Sequence, residues 1–213
     1  PTFYRVYKKK NTEGFQSIPY IVALFSAMLW LFYAYLKPNG SMLLTINTAG
    51  CIIESIYIIV YLIYAPRPAK IYTTRLLLLL NVVVFGLIVL FTILFAKEAK
   101  RATIVGWICS VFSVCVFAAP LSIMRQVIRT KSVEFMPISL SIFLTLCAIV
   151  WFFYGLLIMD LYVAGPNILG FLFGIAQMIL YFIYKHARPN VAPEVDLPET
   201  QVKVTIQPSE SNV

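Results

Sequence analysis

The chain writes one pattern of apolar helix twice. Trp30-Leu31-Phe32-Tyr33-Ala34-Tyr35-Leu36 returns as Trp151-Phe152-Phe153-Tyr154-Gly155-Leu156-Leu157. Ile46-Asn47-Thr48-Ala49-Gly50 returns as Pro166-Asn167-Ile168-Leu169-Gly170, and Tyr61-Leu62-Ile63-Tyr64 as Tyr181-Phe182-Ile183-Tyr184. The offset is 121 residues at the tryptophans (151 − 30) and 120 at the asparagines (167 − 47), one residue having dropped out of a loop. Such a repeat predicts two like bundles. In a membrane protein built that way, the ligand is held where the halves meet.

The membrane reading follows from composition. The chain is 61% hydrophobic and only 12% charged, which no soluble domain matches. A helix needs about 20 apolar residues to cross a bilayer. Six stretches qualify, roughly 19–36, 43–65, 73–96, 103–125, 136–159 and 163–184. They predict an all-α membrane protein with no separate soluble domain.

The net charge of +8 would suit nucleic acid, but its placement argues against that. Arg5 and Lys8 to Lys10 precede the first span. Arg67, Lys70 and Arg75 lie between the second and third, Arg125, Arg129 and Lys131 follow the fourth, and Lys185 and Arg188 follow the sixth. The alternate loops hold Lys37 alone, the mixed run Lys97 to Arg101, and Asp160 alone. Basic loops mark the cytoplasmic face, so no nucleic-acid partner is implied. Cys51, Cys109, Cys115 and Cys147 all fall inside spans and show no metal spacing. The polar stretch 185–213 reads as a disordered cytoplasmic tail.

Pro1 to Lys10 matches Ser122 to Lys131 at the repeat offset, and Glu13 matches Glu134. In the second half a whole helix, 103–120, precedes this segment. The expectation is that a first transmembrane helix belongs before residue 1 and is absent from this sequence. The parent would then have seven spans in a 3-1-3 order, two parallel three-helix bundles joined by a connector. Residues 1–65 would be an incomplete first triple-helix repeat, 73–96 the connector and 103–184 the second triple-helix repeat. The N-terminus would lie outside and the C-terminus in the cytoplasm. Activity would require the parent, because six spans leave one triplet incomplete.

Three motifs point to a family. They are Lys10-Asn11-Thr12-Glu13-Gly14-Phe15-Gln16-Ser17-Ile18-Pro19-Tyr20, then Ala119-Pro120-Leu121-Ser122-Ile123, then Arg129-Thr130-Lys131-Ser132-Val133-Glu134-Phe135-Met136-Pro137. In order and depth they resemble the SWEET family of plant sugar uniporters, over nearly all of residues 1–186. That family is itself an example of parallel repeats. The resemblance implies passive, bidirectional sugar transport by alternating access, no cofactor, and homo-oligomers in the plasma membrane.

Asn47 and Asn167 are the leading candidates for the substrate. Both lie inside apolar spans, each three residues before a glycine. An amide carries donors and an acceptor and can serve a hydroxyl in both senses. A lone intramembrane asparagine more often ties two helices together, but its repetition favours a ligand. Trp30 and Trp151 form the second pair. An indole face stacks on the C–H face of a pyranose; the alternative is an interfacial belt. Trp107, without a repeat partner, reads as an anchor.

The resemblance extends the set. It places Ser26 and Cys147, one turn before the tryptophans, in the cavity lining. It gives Ser113 and Val116 a part in setting substrate size, their small side chains resembling the sucrose-transporting branch. It makes Pro19, Pro120 and Pro137 hinges near the cytoplasmic side, and Tyr33, Lys37 and Asp160 an extracellular gate in which Lys37 and Asp160 pair weakly across an exposed mouth. Small packing residues, static kinks and solvated loop charges are the respective alternatives.

Glu54 is the one acid well inside a span, and its repeat position is Gly174. It reads as bonded to a neighbouring helix, as does Asn81. A proton-coupled symporter would need Glu54. A seven-helix receptor would not explain the repeated Asn and Trp. An intramembrane enzyme lacks a nucleophile and base.

Overall fold

The computed structural model describes residues 8, 10, 12, 15–38, 40–134 and 136–186. Among them six helices are long and apolar enough to cross a membrane. They are α1 (Ile18–Tyr35), α2 (Ser41–Tyr64), α3 (Arg67–Phe95), α4 (Glu98–Thr130), α5 (Ile138–Leu157) and α6 (Leu161–Tyr184). All six predicted spans are present, with ends shifted by a few residues. Only the first two residues of the expected tail are described.

Helix ends follow local chemistry. Ala65 is extended because Pro66 follows it, and α2 stops at Tyr64. Pro68 fits the first turn of α3, where an N–H has no partner to lose. The side chain of Asp160 caps α6 by accepting from the N–H groups of Tyr162 and Val163. Ser17, before α1, caps nothing; its hydroxyl meets that of Thr73 on α3 at 2.7 Å.

Two helices depart from regularity. α3 is widened over Leu78–Val84, around the buried Asn81. α4 breaks at Phe117, whose N–H turns back to Val114 at 3.1 Å. The cause stands three residues on: Pro120 has no N–H, and its ring crowds the carbonyl one turn earlier. The other two expected hinges differ. Pro19 lies in the first turn of α1, and Pro137 immediately precedes α5. Neither interrupts a helix, so any flexing there is at a helix entrance.

α1 packs on α2 and α5 on α6, while α4 touches both α1 and α6, and α3 lies along α1 and α4. The repeat reappears in these contacts. A β-carbon on Gly50 would stand 3.6 Å from Ala27 Cβ, and one on Gly170 would stand 3.3 Å from Ala148 Cβ. Small residues let membrane helices approach. The outer faces carry exposed Leu, Ile, Val and Phe, as a lipid-facing surface should. The interior, with Phe25, Leu29, Tyr33, Val105 and Val163 at its centre, joins the two halves through α4.

A candidate substrate cavity between the repeats

A cavity of about 340 Å³ opens where the halves meet. Eight of its ten lining residues are four repeat pairs: Trp30 with Trp151, Asn47 with Asn167, Ile46 with Pro166, and Leu43 with Val163. The remaining two, Ser113 and Phe117, come from α4. α1 and α5 supply the tryptophans, and α2 and α6 supply the asparagines.

The pairs agree in geometry as well as position. Asn47 Nδ2 donates to the Leu43 carbonyl at 2.8 Å, and Asn167 Nδ2 donates to that of Val163 at 2.7 Å. Each bond uses one amide hydrogen. Among the described residues the other hydrogen and the amide oxygen form no side-chain hydrogen bond. Trp30 stands edge-on to Tyr33 at 5.6 Å, and Trp151 stands edge-on to Tyr154 at 5.5 Å. The cavity thus joins two flat apolar walls to two amides that can donate and accept. It suits a molecule with apolar faces and a rim of hydroxyls.

A buried polar cluster lies one turn beyond the tryptophans. The Tyr33 hydroxyl and the Lys37 ammonium each donate to Asp160 Oδ2 at 2.6 Å. Asp160 Oδ1 accepts from the backbone of Tyr162 at 3.0 Å and of Val163 at 3.4 Å. The Lys37 ammonium also sits 5.4 Å from the centre of the Tyr33 ring. The expectation of an exposed pair is corrected here. The Asp160 side chain is wholly buried, while that of Lys37 is 29% exposed. A carboxylate with four donors around it has exchanged its water for fixed partners, which a solvated loop charge would not do.

Not every expected residue reaches the cavity. Ser113 is in the wall. Ser26 is half-buried, Cys147 and Val116 are exposed, and none of the three lines it. Four helical residues turn the chain by about 400°, so Ser26 and Cys147 stand about 40° off the tryptophans and lack an indole's reach. Beyond Ser113 the wall position passes to Phe117, where α4 breaks. That residue was legible in principle, being one turn from Ser113 and just ahead of Pro120.

Trp107 is 61% exposed, as an anchor would be, with its edge against Tyr162. Asn81 reaches the Ile21 carbonyl on α1 at 3.5 Å, a long contact that joins the connector to the first repeat. Glu54 Oε2 is buried and has no hydrogen-bond partner among the described residues.

Fold and site define a helical membrane protein of two like bundles around one polar-edged cavity. A family described as "Sugar efflux transporter for intercellular exchange" matches residues 1–69 and 103–189, the two halves without the connector. The chain belongs to that family, the SWEET transporters, and its six helices take the fold of a solved member.

The chain is 63% identical over 189 residues to bidirectional sugar transporter SWEET13 of Oryza sativa subsp. japonica, covering 89% of this chain and 64% of that protein. It is 59% identical over 188 residues to bidirectional sugar transporter NEC1 of Petunia hybrida, covering 88% and 71%. With bidirectional sugar transporter SWEET11 of Arabidopsis thaliana it shares 58% over 190 residues, covering 89% and 66%. A solved eukaryotic SWEET transporter superposes with a TM-score of 0.79 at 33% identity, covering 86% of each chain. The chain spans 60 to 64% of the length of the rice relatives SWEET13 and SWEET15.

Proposed function

We propose that the chain carries out passive, bidirectional transport of sugar by alternating access, with sucrose as the preferred substrate and glucose as a second. The observation that carries this reading is the repeat-paired cavity. Two amides and two indoles, one of each per half, face a single space beneath a mouth that bonds can close. A ligand held between the halves is touched by both and can be passed from one side to the other as they rock. The names of the relatives support sugar, and the cavity volume with the small Ser113 in its wall supports a disaccharide.

The sugar ring lies between Trp30 and Trp151, and its hydroxyls exchange hydrogen bonds with Asn47 and Asn167. Tyr33, Lys37 and Asp160 form the outer gate. Pro120 gives α4 a hinge beside the cavity, and Pro19 and Pro137 serve at the entrances of α1 and α5. Arg67, Lys70, Arg125, Arg129, Lys131 and Lys185 stand at the helix ends remote from the gate. By the basic-loop rule that end is cytoplasmic, which puts the C-terminus inside and the gate outside. The membrane is the plasma membrane and the assembly a homo-oligomer, on resemblance to the family.

The test is uptake of labelled sucrose and glucose into liposomes containing the protein, with and without a proton gradient. Sucrose uptake indifferent to the gradient is expected. Uptake that follows the gradient would instead assign coupling to Glu54, whose buried oxygen is the observation favouring that second reading. Alanine at both Asn47 and Asn167 should abolish saturable uptake. Uptake unchanged in correctly inserted protein places the site elsewhere.

A further inference from the structure

Tyr162 lies between the mouth and the cavity, in the first turn of α6. Its N–H is held by Asp160, and its ring stands edge-on to Tyr33 at 6.1 Å and to Trp107 at 5.6 Å. α4 is shaped to receive that ring. A β-carbon on Gly106 would come within 2.7 Å of it.

The Tyr162 carbonyl has lost its ordinary helical partner. The residue four ahead is Pro166, which has no N–H to offer. The bond site is half-buried, and a carbonyl withdrawn from water without a partner is costly. Ser110 of α4 supplies the bond, its hydroxyl donating at 2.9 Å. The first repeat has no such gap, because Ile46 stands where the second has Pro166 and carries an N–H.

We infer that Ser110 is a positioning residue of the mouth, pinning the first turn of α6, and through it Asp160, in the closed arrangement. The inference rests on the alternating-access reading above. α6 runs unbroken through Pro166, but the missing N–H there removes one bond between residues 161–165 and the part that bears Asn167. The short segment 161–165 is tied to α1 through Asp160 and Tyr33, and to α4 through Ser110. When the mouth opens, the segment leaves both, and the Ser110 bond breaks. Removing the hydroxyl therefore favours the open mouth without touching the gate or the cavity. The second repeat, whose helix is loosened by proline, is then the half that moves at the mouth.

The test reads mouth distance, not transport. Spin labels are placed on Tyr35 and Leu161, which are 78% and 76% exposed on either side of the mouth. Cys51, Cys109, Cys115 and Cys147 are first replaced by alanine. Electron–electron distance distributions then give the ratio of open to closed mouths. Ser110→Ala should raise that ratio about fivefold, the weight of one ordinary hydrogen bond. Ser110→Thr keeps the hydroxyl and should keep the ratio. In a Pro166→Ala background the restored N–H can satisfy the Tyr162 carbonyl, so Ser110→Ala should then change nothing.

A merely structural role would lower the yield of folded protein and leave the distances in place. Unchanged distances in Ser110→Ala overturn the inference, as does an equal shift with and without Pro166. Sucrose uptake by the unlabelled, unaltered protein is measured alongside. Its absence would strike the transport reading, while the distances still decide what Ser110 does.

Discussion

Replacing Asp160 by asparagine removes one charge and almost no volume. Asparagine caps a helix as well as aspartate does, so its oxygen can go on accepting from the N–H groups of Tyr162 and Val163. The change falls on the other atom. Oδ2 now receives the Tyr33 hydroxyl and the Lys37 ammonium, both at 2.6 Å. An amide nitrogen in that place can accept neither. A hydrogen bond to a charged group contributes about 1.5 to 3 kcal/mol. Lys37 is 29% exposed, so much of its share returns to water and is discounted. Tyr33 is wholly buried and has no such refuge. The closed mouth should lose about 2 kcal/mol in all, shifting its equilibrium about 30-fold toward the open state. The assay is the label pair on Tyr35 and Leu161, read in Asp160→Asn and in the unaltered protein. Tyr33→Phe, which keeps the ring and removes one bond, should shift in the same direction by less. A distance distribution unchanged in folded Asp160→Asn protein would refute the argument that this cluster holds the mouth shut.

Three other perturbations bear on the cavity and the packing around it. Trp30→Ala and Trp151→Ala should each raise the half-saturation constant for sucrose about tenfold through loss of a stacking face, and similar losses from both would confirm that the two repeats share one ligand. Ser113→Phe places a ring in the 340 Å³ cavity and should reduce sucrose uptake more than glucose uptake; equal losses would remove Ser113 from size selection. Gly155→Ala should destabilise the protein by about 1 to 3 kcal/mol, read as a lower Tm in detergent. The new β-carbon would lie 2.6 Å from the Ala164 backbone nitrogen, which cannot move aside. An unchanged Tm would mean that α5 and α6 part more easily than their contact suggests.

Much of the site was legible because the repeat acts as an internal control. A tryptophan or asparagine in a membrane helix has several ordinary uses. Two of each at equivalent repeat positions place the same chemistry on both sides of a shared axis, and the four do line one cavity. Single residues were read less well. Ser26, Cys147 and Val116 carry the right size and spacing but stand at the wrong rotation. Phe117 entered the wall because Pro120 breaks the helix just before it. The resemblance grouped Tyr33, Lys37 and Asp160, but nothing adjacent in sequence reveals that the Asp160 carboxylate is sealed from water by partners more than a hundred residues earlier.

The sequence by itself determined the number and order of the membrane-length helices among the described residues and the equivalence of the two halves. A bilayer leaves a long apolar segment little choice but a helix. The tertiary structure decided depth and rotation. Those follow from how closely helices approach, at Gly155 against Ala164 and at Gly106 against Tyr162, contacts between residues far apart in the chain. Helical periodicity says which residues share a face. Packing alone says which face meets the cavity, which carboxylate is sealed from water, and which serine finds the carbonyl that a proline left without a partner.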